Sequence, residues 1–175
     1  TKITTNFGTI SSITTGFSSS SQKNFFGSGS GSQEYSQSLK MLRGDLETLS
    51  NKSGRDAAGK ATGILQKMIQ GYGDEVTVRD CNMVIRNQKD SPTQALNLLK
   101  QMITLYEWNG NESVRPTVAT YNFVIEAFAQ EGDIKGSRTV LDMQVSDFRK
   151  KQNAKAKPNL WTFRHMIYAC SKSRR

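Results

Sequence analysis

A chain of 175 residues is long enough for one ordinary domain or a few repeat units around a real core. Its formal charge of +9 favours an anionic partner, but charge alone does not choose among nucleic acid, a membrane surface and an acidic protein. A helix needs a run of about eighteen or more apolar residues to cross a membrane, and the sequence has none, so no membrane span is expected. The two cysteines, Cys81 and Cys170, lie far apart within helical patterns. They read as small core residues, not as a disulfide framework or half a zinc site.

Residues 1–33 are rich in Ser, Thr and Gly, carry no acidic residue and end in "FFGSGSGS". Such a segment buries too little to offset its ordering entropy and is expected to be a disordered leader or linker. An acid-poor, Ser-rich composition also fits an organelle transit peptide. The first residue is Thr and the chain stops at "SKSRR", which suggests a processed protein or a piece of a longer one.

From Glu34 on, the pattern is helical. Leu39, Leu42, Leu46 and Leu49 form one apolar stripe, and Ala61, Ile64, Leu65, Met68 and Ile69 form a second. "GYGDE" breaks the pattern. Thr77 and Asp80 then outline a capping box for a helix carrying Val78, Cys81, Val84 and Ile85. "DSPTQ" opens the next helix, with Ser91 as N-cap and Pro92 in the first turn. Its apolar residues include Ala95, Leu98, Leu99 and Met102. Val118, Tyr121, Val124, Ile125 and Phe128 mark the following helix, which Gly132 ends. Asp133 caps the next, with Val140, Leu141 and Met143. A basic stretch, "RKKQNAKAKPN", leads to a last helix with Leu160, Phe163, Met166, Ile167 and Cys170.

These helices fall in pairs that superimpose. Val78, Val118 and Leu160 coincide, as do Cys81, Tyr121 and Phe163, and then Ile85, Ile125 and Ile167. Among second helices Ala61, Ala95 and Gly136 align at the place of closest approach, and Met68, Met102 and Met143 at the far end. The methionines repeat at 34 and 41 residues, the period of stacked helical hairpins. The expectation is an all-α fold, an α-solenoid of helix-turn-helix repeats behind a disordered N-terminal segment. Residues 34–75 would be a degenerate or capping hairpin, and 76–175 the repeats, the last incomplete.

"RPTVATYNFVIEAFAQEGDIKGSRTVLDMQ" resembles a pentatricopeptide repeat, through Pro116, Val118, Thr120, Tyr121, Asn122, Ile125, Gly132 and Met143. "VTVRDCNMVI" keeps Val78, Asn82 and Ile85, and "KPNLWTFRHMI" keeps Pro158, Thr162 and Ile167. The steps from Met102 to Val118 and from Met143 to Leu160 exceed the family's spacing and should lengthen the second helix or its loop. The resemblance implies binding of single-stranded RNA, one base per repeat. By that resemblance Asn122 works with Asn159 and Asn82 with Thr117, with a weak lean toward pyrimidines. Arg79, Ala119 and Trp161 would pack on bases, Arg and Trp by stacking. Arg164 stands where the family has Asn, and is placed on base or phosphate. A mitochondrial or plastid role in RNA processing, stability or translation follows from the same resemblance, with other proteins of an organellar ribonucleoprotein as further partners.

Other readings remain beside this one. Thr77, Thr117 and Asn159 are good N-caps whatever they touch, and Asn82 and Asn122 would serve as solvated polar positions. Lys150, Lys151, Lys155 and Lys157 offer phosphate contacts or simply a solvated loop. "GRDAAGKAT" mimics the start of a phosphate loop, but Ala61 lacks the hydroxyl needed on magnesium and no strand precedes it. With His165 the sole histidine, no catalytic centre, metal site or cofactor is expected. The competing function is a protein-interaction scaffold, tetratricopeptide-like or a subunit of an organellar ribosome.

Overall fold

The computed structural model describes residues 31–52 and 54–173. The chain divides into two compact units, residues 1–35 and 36–175, and the first contributes only the opening residues of a helix to what is described below. Among the described residues there are seven α-helices and no strand: α1 (Gly31–Ser50), α2 (Arg55–Tyr72), α3 (Val78–Asn87), α4 (Pro92–Asn109), α5 (Val118–Glu131), α6 (Ile134–Lys150) and α7 (Leu160–Ser173). The all-helical character expected from the sequence is therefore present. The leader expected at 1–33 lies outside the described residues except for Gly31–Gln33, which form the first turn of α1 instead.

Local chemistry explains the boundaries. At α3 the Thr77 side chain accepts from the Asp80 backbone while Asp80 accepts from the Thr77 N–H, a reciprocal cap. Thr117 and Thr120 do the same for α5. Gly132 takes a left-handed conformation (φ 75°) that ends α5, and Asp133 at once caps α6 by accepting from the Gly136 N–H at 2.9 Å. Ser91 precedes Pro92 as expected, yet its hydroxyl makes no capping bond; the turn closes through the Gln94 N–H on the Ser91 carbonyl.

Each of α3 and α5 packs on the helix that follows it, and α3, α5 and α7 also touch in succession. The core runs through these contacts: Leu39 and Leu46 of α1, Ala61, Leu65 and Met68 of α2, Val84 and Ile85 of α3, Leu99 and Met102 of α4, Tyr121, Val124 and Ile125 of α5, and Val140 of α6. The small residues aligned in sequence sit where helices approach: Ala61 and Ala95 are buried, and a Cβ on Gly136 would collide with the Phe128 ring. The long steps from Met102 to Val118 and from Met143 to Leu160 are taken up by α4 and α6, which reach Asn109 and Lys150, followed by 3-10 turns at Glu112–Val114 and Ala154–Ala156.

Two expectations about α7 are corrected. Cys81 is buried, but Cys170 is exposed. Phe163 and Ile167, aligned with buried residues of α3 and α5, are exposed as well, as is Leu160, whose counterparts Val78 and Val118 are half-buried. The reason is physical: α3 and α5 are covered by α4 and α6, whereas no described helix follows α7 to cover the same face.

Candidate nucleic-acid interface

The three aligned helix starts place Asn82, Asn122 and Arg164 one turn into α3, α5 and α7. α5 and α7 lie side by side, which brings the next N-cap to the Asn122 side chain. Asn122 Nδ2 donates to Asn159 Oδ1 at 3.3 Å, and Thr162 Oγ donates to Asn122 Oδ1 at 2.7 Å. Asn159 Oδ1 also receives the Thr162 N–H at 3.2 Å, so one side chain caps α7 and holds the amide of the neighbouring helix. The pair named by resemblance is thus in contact. Thr162, which sequence reasoning left out of the site, is its third member. Its signal was its place three residues after a cap, the place Thr120 occupies in α5.

The equivalent junction between α3 and α5 differs. No hydrogen bond joins Asn82 to Thr117 among the described residues, and Asn82 Oδ1 is buried without a partner among them. Thr120, the counterpart of Thr162, is engaged instead with the Thr117 backbone and hydroxyl. A buried amide oxygen without a donor is costly.

The flanking residues are placed as follows. Trp161 is exposed, with the Arg164 guanidinium 4.8 Å from its ring centroid, a cation–π stack on the outer side of α7. Arg79 is not free: it forms an ion pair with Glu47 of α1 at 3.1 Å. Lys151 is likewise paired, with Glu107 of α4. Lys150, Lys155 and Lys157 are exposed. The phosphate-loop mimic is ordinary helix, since Arg55–Thr62 lie within α2.

Beneath this surface a buried polar network fixes the turn between α6 and α7. Asn153 Nδ2 donates to the Pro116 carbonyl at 2.9 Å and to Asp147 at 2.7 Å, and Tyr121 Oη donates to the same carboxylate at 3.1 Å. Burial, reinforced by the Asp147 charge, pushes the Tyr121 hydroxyl above its ordinary range, so it stays a donor. At the other end Arg43 of α1 pairs with Asp80 at 3.2 Å and donates to the Glu75 carbonyl at 2.7 Å. Sequence reasoning read Asp80 only as a cap. Its carboxylate, where the aligned positions have Thr120 and Thr162, marks the place where a guanidinium arrives.

Among the described residues, no three of His, Cys, Asp and Glu gather so as to hold a metal ion, and no helix is long and apolar enough to cross a membrane. His165, half-buried on α7, has its imidazole pKa lowered mainly by burial, against the pull of Glu126 and with a smaller push from Arg164. Neither a protein-family model, nor a curated protein, nor a solved structure matches the chain.

Proposed function

We propose that this protein binds single-stranded RNA along the row formed by the starts of α3, α5 and α7, as a short α-solenoid of pentatricopeptide type. The contact of Asn122 with Asn159 carries the reading. A partly exposed amide is held by the cap of the next helix, which is how one repeat presents a fixed donor–acceptor edge to a base. Asn82 and Thr117 are assigned as the second reading position by the same alignment. Trp161 and Arg164 stack on a base or face phosphate, and Lys155 and Lys157 add counterion release. Each stacked base is worth about 1–3 kcal/mol, so two or three positions give weak affinity alone, as in a component of a larger ribonucleoprotein. The setting we propose is a mitochondrion or plastid, in transcript processing, stability or translation.

One observation favours a second reading, a protein-interaction scaffold: Arg79 and Lys151, two of the cations named for RNA, are engaged in ion pairs within the chain.

The deciding experiment is titration of the chain against fluorescent poly-U, poly-C, poly-A and duplex RNA across a salt series. Base readout predicts preference for single-stranded pyrimidines, and a larger loss from Asn122→Ala than from Lys151→Ala. Equal binding of all four with a steep salt slope would mean basic attraction alone and favour the scaffold.

A further inference from the structure

The backbone dictates which way the two amides between α5 and α7 face. The Thr162 N–H can only donate, so the Asn159 side-chain atom 3.2 Å from it is the carbonyl oxygen. That oxygen can only accept, so the end of the Asn122 side chain that faces it at 3.3 Å is the Nδ2. Asn122 Oδ1 is thereby left to the Thr162 hydroxyl, which donates to it at 2.7 Å. The same hydroxyl accepts from the Asn159 N–H at 3.1 Å, so one side chain ties the cap of α7 to the amide of α5. The aligned position in α3 also reaches back to the preceding first helix: Asp80 takes Arg43 of α1, and Arg43 follows Leu42 as Asn122 follows Tyr121. Thr120 of α5 differs, since its side chain bonds to Thr117.

We infer that Thr162 is the positioning residue of the Asn122 site: its hydroxyl occupies the Asn122 carbonyl and leaves an edge made mainly of N–H donors, which rejects guanine. The inference rests on the RNA-binding reading above. Asn159 is exposed and its Nδ2 donates to no described residue, so both of its hydrogens face a ligand unspent. Asn122 Nδ2 keeps one hydrogen, and Asn122 Oδ1 keeps a single lone pair. On their Watson–Crick edges uracil and cytosine each offer two acceptors and one N–H, whereas guanine offers one acceptor and two N–H groups. A pyrimidine therefore finds partners for its acceptors. Guanine sets a donor against a donor, and specificity of this kind comes from the unpaired group as much as from the paired one.

The test uses the whole chain with fluorescent oligouridine and with an oligomer of 7-deazaguanosine of equal length, which has guanine's Watson–Crick edge but does not form four-stranded structures. The readout is the ratio by which oligouridine binds more tightly. Thr162→Val should lower that ratio about fivefold, the worth of one hydrogen bond. Thr162→Ser, which keeps the hydroxyl, should hold it near the parent value. Thr120→Val is the control: it removes the same bond to a cap N–H, 3.1 Å in both helices, yet frees no amide, so the ratio should not move. An unchanged ratio in folded Thr162→Val overturns the inference and leaves RNA binding standing. An equal fall in Thr120→Val also overturns it, since a lost cap would then explain both. If the parent binds the two strands equally, the RNA reading fails and the positioning role falls with it. Should Thr162→Val not fold, NMR of the parent decides: a Thr162 hydroxyl proton protected from exchange supports the inference, and one averaged with water overturns it.

Discussion

Asn153 shows how one side chain can decide a junction. It stands in a basic, polar stretch that reads as solvated loop, yet it is 2% exposed and touches three elements. Its Nδ2 holds the Pro116 carbonyl and the Asp147 carboxylate, while its Oδ1 accepts from the Lys155 N–H at 3.2 Å. Asn111 occupies the corresponding place in the turn between α4 and α5, but it is only half-buried and donates to the Gly73 carbonyl at 2.9 Å without a carboxylate. Removing Asn153 leaves a buried charge with one donor fewer and a carbonyl with none; Asn153→Ala should therefore cost about 3 kcal/mol, and Asn111→Ala about 1 kcal/mol. Urea unfolding of both variants measures the difference. Equal costs would show that the Asp147 network is not what holds the last turn.

At the scale of elements, the turn between α5 and α6 packs closely against the end of α7. Gly132 has a left-handed backbone, and a Cβ there would lie 3.2 Å from the Ser173 amide nitrogen of α7. Gly110, at the end of α4, has φ 65° but open space around it. Both Gly→Ala changes carry the left-handed penalty of about 1–2 kcal/mol, and only Gly132→Ala adds a clash between helices. The expected result is a larger loss of thermal stability for Gly132→Ala, with faster amide exchange at the end of α7. Matching losses at the two sites would mean that α7 moves aside without cost. The helices themselves were legible because their caps are local: Thr77, Thr117, Gly132 and Asp133 act within four residues of where they stand in sequence. The exposed stripe of α7 was not, because Leu160, Phe163 and Ile167 show the same periodicity as Val118, Tyr121 and Ile125, and periodicity does not reveal whether another helix covers it. The site was legible in part. The alignment that paired Asn122 with Asn159 also paired Asn82 with Thr117, but whether a pair touches depends on where the intervening hydroxyl donates. Thr162 bonds to Asn122 as well as to its own cap, Asn159, whereas Thr120 bonds to its own cap, Thr117.

At the scale of the whole molecule, ionisation of the interior sets the alkaline limit of stability. Burial, helped by the Asp80 charge, pushes the Cys81 thiol from its ordinary value of 9.0 to about 12. Between those values the unfolded chain gives up this proton and the folded chain keeps it, so the unfolded state binds fewer protons and stability falls as pH rises. Below pH 9 the effect is absent; by pH 10.5 it amounts to about 2 kcal/mol, at 1.4 kcal/mol per unit of separation. Tyr121, shifted in the same direction, adds to the loss once the unfolded phenol begins to ionise. His165 acts on the acid side with the opposite slope: its lowered pKa means the unfolded state binds the proton first, so stability falls as pH drops below about 6.5. The alkaline contribution of Cys81 separates cleanly from the others by substitution. Cys81→Ala should lower stability by about 1 kcal/mol at pH 8, for the lost packing, and then lose about 2 kcal/mol less than the parent between pH 8 and pH 10.5. Urea titrations of both proteins at the two pH values give the comparison directly. Parallel losses would mean that the folded interior admits the thiolate and that the contact between α3 and its neighbours opens well before the chain unfolds.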